Sequence, residues 1–218
     1  MSSSSGPVDT ETRGRNLRHW VLAFARITGG GKRYVRNRMR RLLARSWVAS
    51  RLHYRAHGLV LDGKPSDEVW YFAYGSNMDV STFTVRRRMQ PLEMRVGRIA
   101  GYQLRFNLDG RPRGRAAPAN ICAAPGHEVW GVLYRITRRE LVRLDSTEGV
   151  PGRGYRPVWL DAEDTDGNTV LAAAYVAAGR ETDGNPSLRY ISLLRNGARH
   201  HGLPEYWLRL LDGVNHIE

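Results

Sequence analysis

Val69-Trp70-Tyr71-Phe72-Ala73-Tyr74-Gly75-Ser76-Asn77-Met78 is the stretch on which the reading of this chain turns. The five apolar or aromatic residues from Val69 to Ala73 are long enough for a buried strand and too short for a convincing helix, and Gly75-Ser76-Asn77 stops the run abruptly. Glycine reaches backbone angles closed to other residues, and Ser and Asn are favoured helix N-caps, so Tyr74 to Asn77 reads as a strand, a tight loop and the start of a helix. Such a loop aims several free N–H groups at one point, where an anion or a carbonyl oxygen can sit. An ordinary strand-to-helix turn reads the same way, because short glycine motifs have low specificity.

At 218 residues the chain is long enough for one domain with a sizeable core plus an appendage. A single cysteine, Cys122, excludes an internal disulfide and supplies no cluster of metal ligands, in keeping with a reducing, cytoplasmic setting. It lies in an apolar run and reads as a small packed hydrophobe. The formal charge of +13 is lopsided: residues 1–60 hold 13 Lys and Arg against Asp9 and Glu11, a net of +11, and the remainder carries +2. The basicity belongs to the N-terminal segment and does not argue that the whole protein binds nucleic acid.

Residues 1–14, Ser-rich and short of apolar side chains, read as a disordered leader. The apolar run Trp20 to Ile27 falls far short of the roughly 20 residues that span a bilayer. No secretory signal is evident, while the Ser- and Arg-rich, acid-poor composition leaves an organelle transit peptide as an alternative. Residues 15–57 form a basic amphipathic helical extension. Val35, Met39, Leu42, Leu43, Trp47 and Leu52 recur near helical spacing, and Arg36, Arg38, Arg40, Arg41, Arg45 and Arg51 fill much of the remainder. Three roles are open to it: docking its apolar face on the domain, adsorbing to an anionic membrane surface, or meeting nucleic-acid phosphates. The last is the least favoured, because nothing there reads bases. Residues 58–68 make a linker into a domain spanning 69–213.

Within that domain, Asp79 to Met89 is expected to be a helix ended by Pro91. Gly101 to Phe106 alternates like a half-buried strand, and Asp109 to Pro118 reads as a mobile basic loop. Ala119 to Ala124 and Glu128 to Tyr134 suggest two strands joined at Pro125-Gly126-His127. Thr137-Arg138-Arg139-Glu140 is a capping box opening a helix that should end at Gly149. Val158 to Ala162 and Thr169 to Val176 suggest a hairpin around Asp166-Gly167, and Pro186-Ser187 and Pro204 each begin a helix.

Glu148 stands out by position alone. It follows Asp145 by three residues on one helical face, and it lies in the last turn, where the helix dipole and unpaired carbonyls disfavour negative charge. A carboxylate there is expected to have a raised pKa, suited to proton transfer near neutral pH, although an exposed Glu in a poor position looks the same. His200-His201 lacks acidic or cysteine company, so no metal is expected. Ser76 lacks the Gly-x-Ser-x-Gly elbow and evident His and Asp partners.

Tyr71-Phe72-Ala73-Tyr74-Gly75-Ser76-Asn77-Met78 resembles the signature of the γ-glutamylcyclotransferase family. Further matches follow in order: Glu128-Val129-Trp130-Gly131-Val132, Leu144-Asp145-Ser146-Thr147-Glu148-Gly149-Val150, Tyr175 in an apolar strand, and Gly197 through Gly202-Leu203-Pro204. The likeness runs from about residue 68 to residue 212 and leaves out the first third of the chain. It implies an α+β fold, a small mixed or antiparallel closed sheet with flanking helices, here with the added N-terminal helical arm. It implies cofactor-free cyclisation of a small γ-glutamyl substrate, in which the substrate's own α-amine attacks the γ-carbonyl to give 5-oxoproline and a free amine. Glu148 would then be the catalytic base and acid, with Tyr71, Phe72, Ala73, Tyr74, Gly75, Ser76, Asn77 and Tyr175 holding substrate. Tyr-Gly-Ser-Asn is like the branches acting on γ-glutamyl amino acids and in antibiotic pathways, whereas the glutathione-acting branch usually differs after Tyr-Gly-Ser. The added Arg-rich segment and the basic loop at Arg111 to Arg115 depart from the family pattern and leave the leaving amine open. A non-catalytic member binding a small anion, with a basic docking arm, is the rival reading.

Overall fold

The apolar run becomes strand β1, Glu68–Ala73, which closes a barrel with neighbours on both sides. The computed structural model describes residues 63–110, 116–148 and 155–218, with Ser146 and Glu148 as backbone only. The leader, the basic extension, the linker up to residue 62 and the Arg-rich part of the basic loop lie outside those residues. Among the described residues no helix is long and apolar enough to cross a membrane.

Four more strands complete the sheet: β2 (Glu93–Arg105), β3 (Asn120–Thr137), β4 (Tyr155–Asp164) and β5 (Thr169–Ala177). Their order around the barrel is β1-β3-β2-β4-β5. All pairings are antiparallel except the closing one, where Trp70 and Tyr71 of β1 lie parallel to Ala172 and Ala173 of β5. A barrel this narrow is filled by its own side chains. Phe72, Ile99, Val132, Leu133, Ile136, Ala172 and Ala174 are fully or almost fully buried. The middle of β3 is buried on both faces, because Tyr134 on the outside is covered by Phe83, with ring centroids 4.0 Å apart. A strand covered on both sides reads as a continuous apolar run, which is how Val132-Leu133-Tyr134 appears in the sequence.

Two expectations are corrected. Ala119 to Tyr134 does not divide into two joined strands. β3 runs through Pro125-Gly126-His127, and residues on either side of that excursion pair with the same long β2, Ala123 with Tyr102 and Glu128 with Ala100. The turn-forming residues supply a bulge, not a reversal. Nor is Asp79 to Met89 a regular helix: Ser76–Met78 forms a 3-10 turn and Ser81–Arg86 a six-residue π-helical turn. The hairpin around Asp166-Gly167 does form, as the β4–β5 pair. The Asp164 carboxylate ties its turn by accepting from the Asp166 N–H (3.0 Å) and Asn168 N–H (2.9 Å).

Three helices flank the barrel: α1 (Arg138–Glu148), α2 (Leu188–His200) and α3 (Glu205–Asp212). Ser187 caps α2 by accepting from the Tyr190 N–H at 3.2 Å, and Gly213 follows α3. α1 opens on the capping box. The Thr137 hydroxyl accepts from the Glu140 N–H at 3.3 Å, and the Glu140 carboxylate accepts from the Thr137 N–H at 3.0 Å. Glu140 is buried, and its other oxygen also takes the Gln90 N–H at 2.9 Å, tying the helix start to the segment before β2. Replacing Glu140 by Ala strands these donors, so E140A is expected to lose about 1–3 kcal/mol in urea unfolding with an unchanged slope, and E140Q less.

Candidate active site

β1 leaves the barrel at Ala73, Tyr74 and Gly75 bring the chain round, and the Met78 N–H closes the 3-10 turn on the Gly75 carbonyl at 3.0 Å. Gly75 has a φ of −115°, so the expected unusual backbone is not why glycine stands there. A Cβ there would sit 3.2 Å from the Tyr190 hydroxyl, a tight contact at the pocket wall. Neither Ser76 nor Asn77 caps a helix. Asp79 does so, its Oδ1 accepting from the Thr82 N–H (2.7 Å) and the Ser81 hydroxyl (2.8 Å). Burial pushes the Asp79 carboxyl up, but the hydrogen bonds from Thr82 and Ser81, with His200 nearby, outweigh it and hold the group below its ordinary range.

Helix α2 seats this turn from beneath. A Cβ on Gly197 would lie 2.5 Å from the Met78 carbonyl carbon and 2.7 Å from the Asp79 nitrogen, so helix and turn touch backbone to backbone. At the end of α2, the His201 Nε2–H donates to the Met78 carbonyl at 3.1 Å. Burial pushes the His201 imidazole below its ordinary pKa and His200 adds to this, while the bond to Met78 opposes it. Gly131 makes a similar allowance on β3, where a Cβ would stand 2.3 Å from the Ala73 carbonyl oxygen.

Above the turn lies a pocket lined by Tyr71, Tyr74, Gly75, Ser76, Asn77, Ala119, Tyr155, Tyr175 and Tyr190. Six of the expected substrate-holding residues are thus brought together. Phe72 and Ala73 are not among them: both are fully buried, with the Phe72 ring under Gly131. The buried Tyr74 hydroxyl donates to the Tyr175 carbonyl. Asn77 is turned inward, donating to the Tyr71 hydroxyl at 2.8 Å and accepting from the Arg87 Nε–H at 3.2 Å. Among the described residues, the N–H groups of Gly75 and Ser76 donate to no backbone carbonyl, and no hydrogen bond holds the Ser76 hydroxyl. The Tyr175 hydroxyl donates at 2.7 Å to Asp145, a carboxylate buried on α1. One turn further on, α1 reaches Glu148, whose side chain is outside the described residues. The Nε2–H of His201 is committed to the Met78 carbonyl, which leaves that nitrogen no lone pair for a metal. Among the described residues no three His, Cys, Asp or Glu side chains are grouped as a metal site.

Comparison with known proteins meets this geometry. The AIG2-like family matches residues 128–211, from the second motif on β3 to the end of α3. The γ-glutamylcyclotransferase of Bos taurus is 28% identical over 160 residues, covering 71% of this chain and 82% of that protein. The γ-glutamylcyclotransferase of Homo sapiens is 29% identical over 155 residues, with 68% and 80% covered. A solved γ-glutamyl cyclotransferase superposes with a TM-score of 0.63 at 26% identity, over 70% of this chain and 90% of its own. This chain belongs to the γ-glutamylcyclotransferase-like family.

Family membership leaves part of the pocket unread in the sequence. The Tyr155 hydroxyl donates to the Ala119 carbonyl at 2.6 Å, and the Tyr190 hydroxyl accepts from the Ala119 N–H at 3.2 Å, so two tyrosines from different elements bracket one residue's backbone. Only their residue type could have marked them, since tyrosine joins a rigid apolar body to a polar tip. Cys122 is half-buried and nearer polar groups than expected, its sulfur accepting from Asn107 at 3.5 Å and Asn120 at 3.6 Å.

Two outcomes test how this family turn is seated. In a free helix Gly→Ala stabilises by about 1 kcal/mol, yet Gly197→Ala forces Met78 and Asp79 aside. G197A is therefore expected to lower stability by about 1–3 kcal/mol, read as a reduced denaturation midpoint. Because His201 resists protonation when folded, its contribution is complete above the unfolded value of about 6.5 and is lost as pH falls through the lower folded value. Urea midpoints between pH 7.5 and 5.5 are expected to fall more steeply for the wild type than for His201→Asn.

Proposed function

We propose that this pocket cyclises a γ-glutamyl amino acid or γ-glutamyl amine, releasing 5-oxoproline and the free amine. The chain is an enzyme of γ-glutamylcyclotransferase type. The observation that carries the proposal is the convergence on one pocket of the Gly75-Ser76 amides, which no carbonyl of the described residues occupies, and Tyr175, whose hydroxyl reaches the helix that ends at Glu148.

The substrate's α-amine arrives protonated, with a pKa near 8, and must lose a proton before it can attack. Glu148 takes that proton. Nitrogen then adds to the γ-carbonyl carbon, and charge grows on the carbonyl oxygen. Glu148 next returns the proton to the departing nitrogen as the original amide bond breaks, and the ring nitrogen gives up its second proton to the carboxylate so freed, from which it passes to the released amine, leaving a neutral lactam. One carboxyl group serves both steps because the reaction is internal to the substrate and needs proton transfer alone. The N–H groups of Gly75 and Ser76 with the Ser76 hydroxyl suit either the glutamyl carboxylate or the developing oxyanion, and their fixed positions spare the reorganisation water would need. The tyrosine walls fold the flexible glutamyl chain so that amine and carbonyl meet, an orientational contribution comparable to that of the proton transfers.

The test uses the full chain with several γ-glutamyl amino acids and amines, following 5-oxoproline. Glu148→Gln is expected to lower kcat by about 10²- to 10⁴-fold with KM little changed. Wild-type turnover by E148Q would remove Glu148 from the mechanism. Absence of 5-oxoproline from every substrate with the unaltered chain would remove the reaction itself.

A further inference from the structure

A carboxylate buried on a helix against the barrel is costly unless its hydrogen bonds are met, and a neutral apolar pair would fill the same space more cheaply. Asp145 is 2% exposed, and it accepts from the Tyr175 hydroxyl at 2.7 Å. The same tyrosine has a second engagement through its backbone, because its carbonyl accepts the Tyr74 hydroxyl in the buried interior. Tyr74 directly precedes Gly75, and Asp145 lies one helical turn before Glu148. One residue of β5 therefore joins the end of α1 to the turn after β1.

We infer that Asp145 is a positioning residue: acting through the Tyr175 hydroxyl and the Tyr175 carbonyl–Tyr74 bond, it fixes the end of α1 against the Gly75–Asn77 turn. The inference rests on the cyclisation proposed above and adds a role for a side chain that does not itself meet the substrate. Tyr175 lines the pocket on one edge and is anchored on the other, so its ring cannot rotate without losing the Asp145 bond. α1 is also held by its capping box at the far end, by Leu141 and Leu144 in the core, and by Arg143, which donates to the Arg88 carbonyl at 2.7 Å; of these ties the Asp145–Tyr175 bond lies nearest Glu148. A displacement of about 1 Å between a base and its target can cost on the order of 100-fold in rate.

The test is a cycle of Asp145→Ala, Tyr175→Phe and the double variant in the full chain, with Asp145→Asn as the conservative replacement. Release of 5-oxoproline gives kcat and KM, and thermal denaturation gives Tm. D145A is expected to lower kcat about 10- to 100-fold with little change in KM. D145N, whose amide oxygen can still accept from Tyr175, should recover a large part of that loss. Adding D145A to Y175F should cost less kcat than D145A costs alone, since the two changes share one link. Three results would overturn the inference: D145A lowering Tm while kcat stays at the wild-type level, D145N as slow as D145A, or losses that multiply in the double variant. Should D145A fail to fold, Y175F decides, because it keeps the ring; unchanged kcat in Y175F is then the overturning result. Failure of the cyclisation proposal is separately visible, because the unaltered chain would then release no 5-oxoproline, or E148Q would be as fast as the wild type.

Discussion

Everything at this site depends on a backbone-to-backbone contact, Gly197 of α2 against Met78 and Asp79. A three-residue 3-10 turn, closed here by only two backbone hydrogen bonds, has no stability of its own. It keeps its shape because the surroundings over-determine it: Gly197 beneath, His201 on the Met78 carbonyl, Tyr74 bonded to Tyr175, and Asn77 held between Tyr71 and Arg87. Separate segments of the chain, through backbone and side chains alike, hold the turn in place while, among the described residues, two of its amides stay unspent. That is the physical meaning of preorganisation here: the donors are fixed before any ligand arrives, so no ordering cost falls on the reaction.

Tyrosine dominates the walls for a related reason. Five of the ten tyrosines in the chain line the pocket. Their rings pack as part of the barrel, with Tyr71 and Tyr175 tilted against each other at 5.8 Å, while hydroxyls reach backbone groups of other elements. The Tyr74, Tyr155 and Tyr190 hydroxyls all meet main-chain partners, at Tyr175 and Ala119. A wall tied to backbone keeps its position whatever the neighbouring side chains do, and it still presents polarisable faces to a ligand.

The sequence was legible wherever structure is decided locally. β1, the capping box of α1, the Asp166-Gly167 hairpin and the starts of α2 and α3 each follow from a few adjacent residues, and each is present. It misled where a local signal was overridden from a distance. Pro125-Gly126-His127 has turn chemistry, yet both flanks are captured by one long partner strand, which converts a reversal into a bulge. Asp79 to Met89 has helical composition, yet the need to cover Tyr134 with Phe83 and to seat the turn on Gly197 leaves room only for short turns. The candidate site divides the same way. The contiguous turn residues and the motif-borne Tyr175 could be named in advance, whereas Ala119, Tyr155 and Tyr190 meet only through the closure of the barrel, and no spacing along the chain announces that.

The seam between β1 and β5 carries one more implication. It is the sole parallel pairing of the barrel, it is short, and it brings Trp70 beside Ala172 across most of the domain's length. Joining segments so distant along the chain is entropically the slowest event in assembling such a topology. During synthesis the glycine turn emerges early and must wait, half-built, for a strand made much later. Catalytic competence would thus be acquired in one step, at the moment the cylinder shuts, and a chain interrupted before β5 would carry the family signature with nothing for it to face.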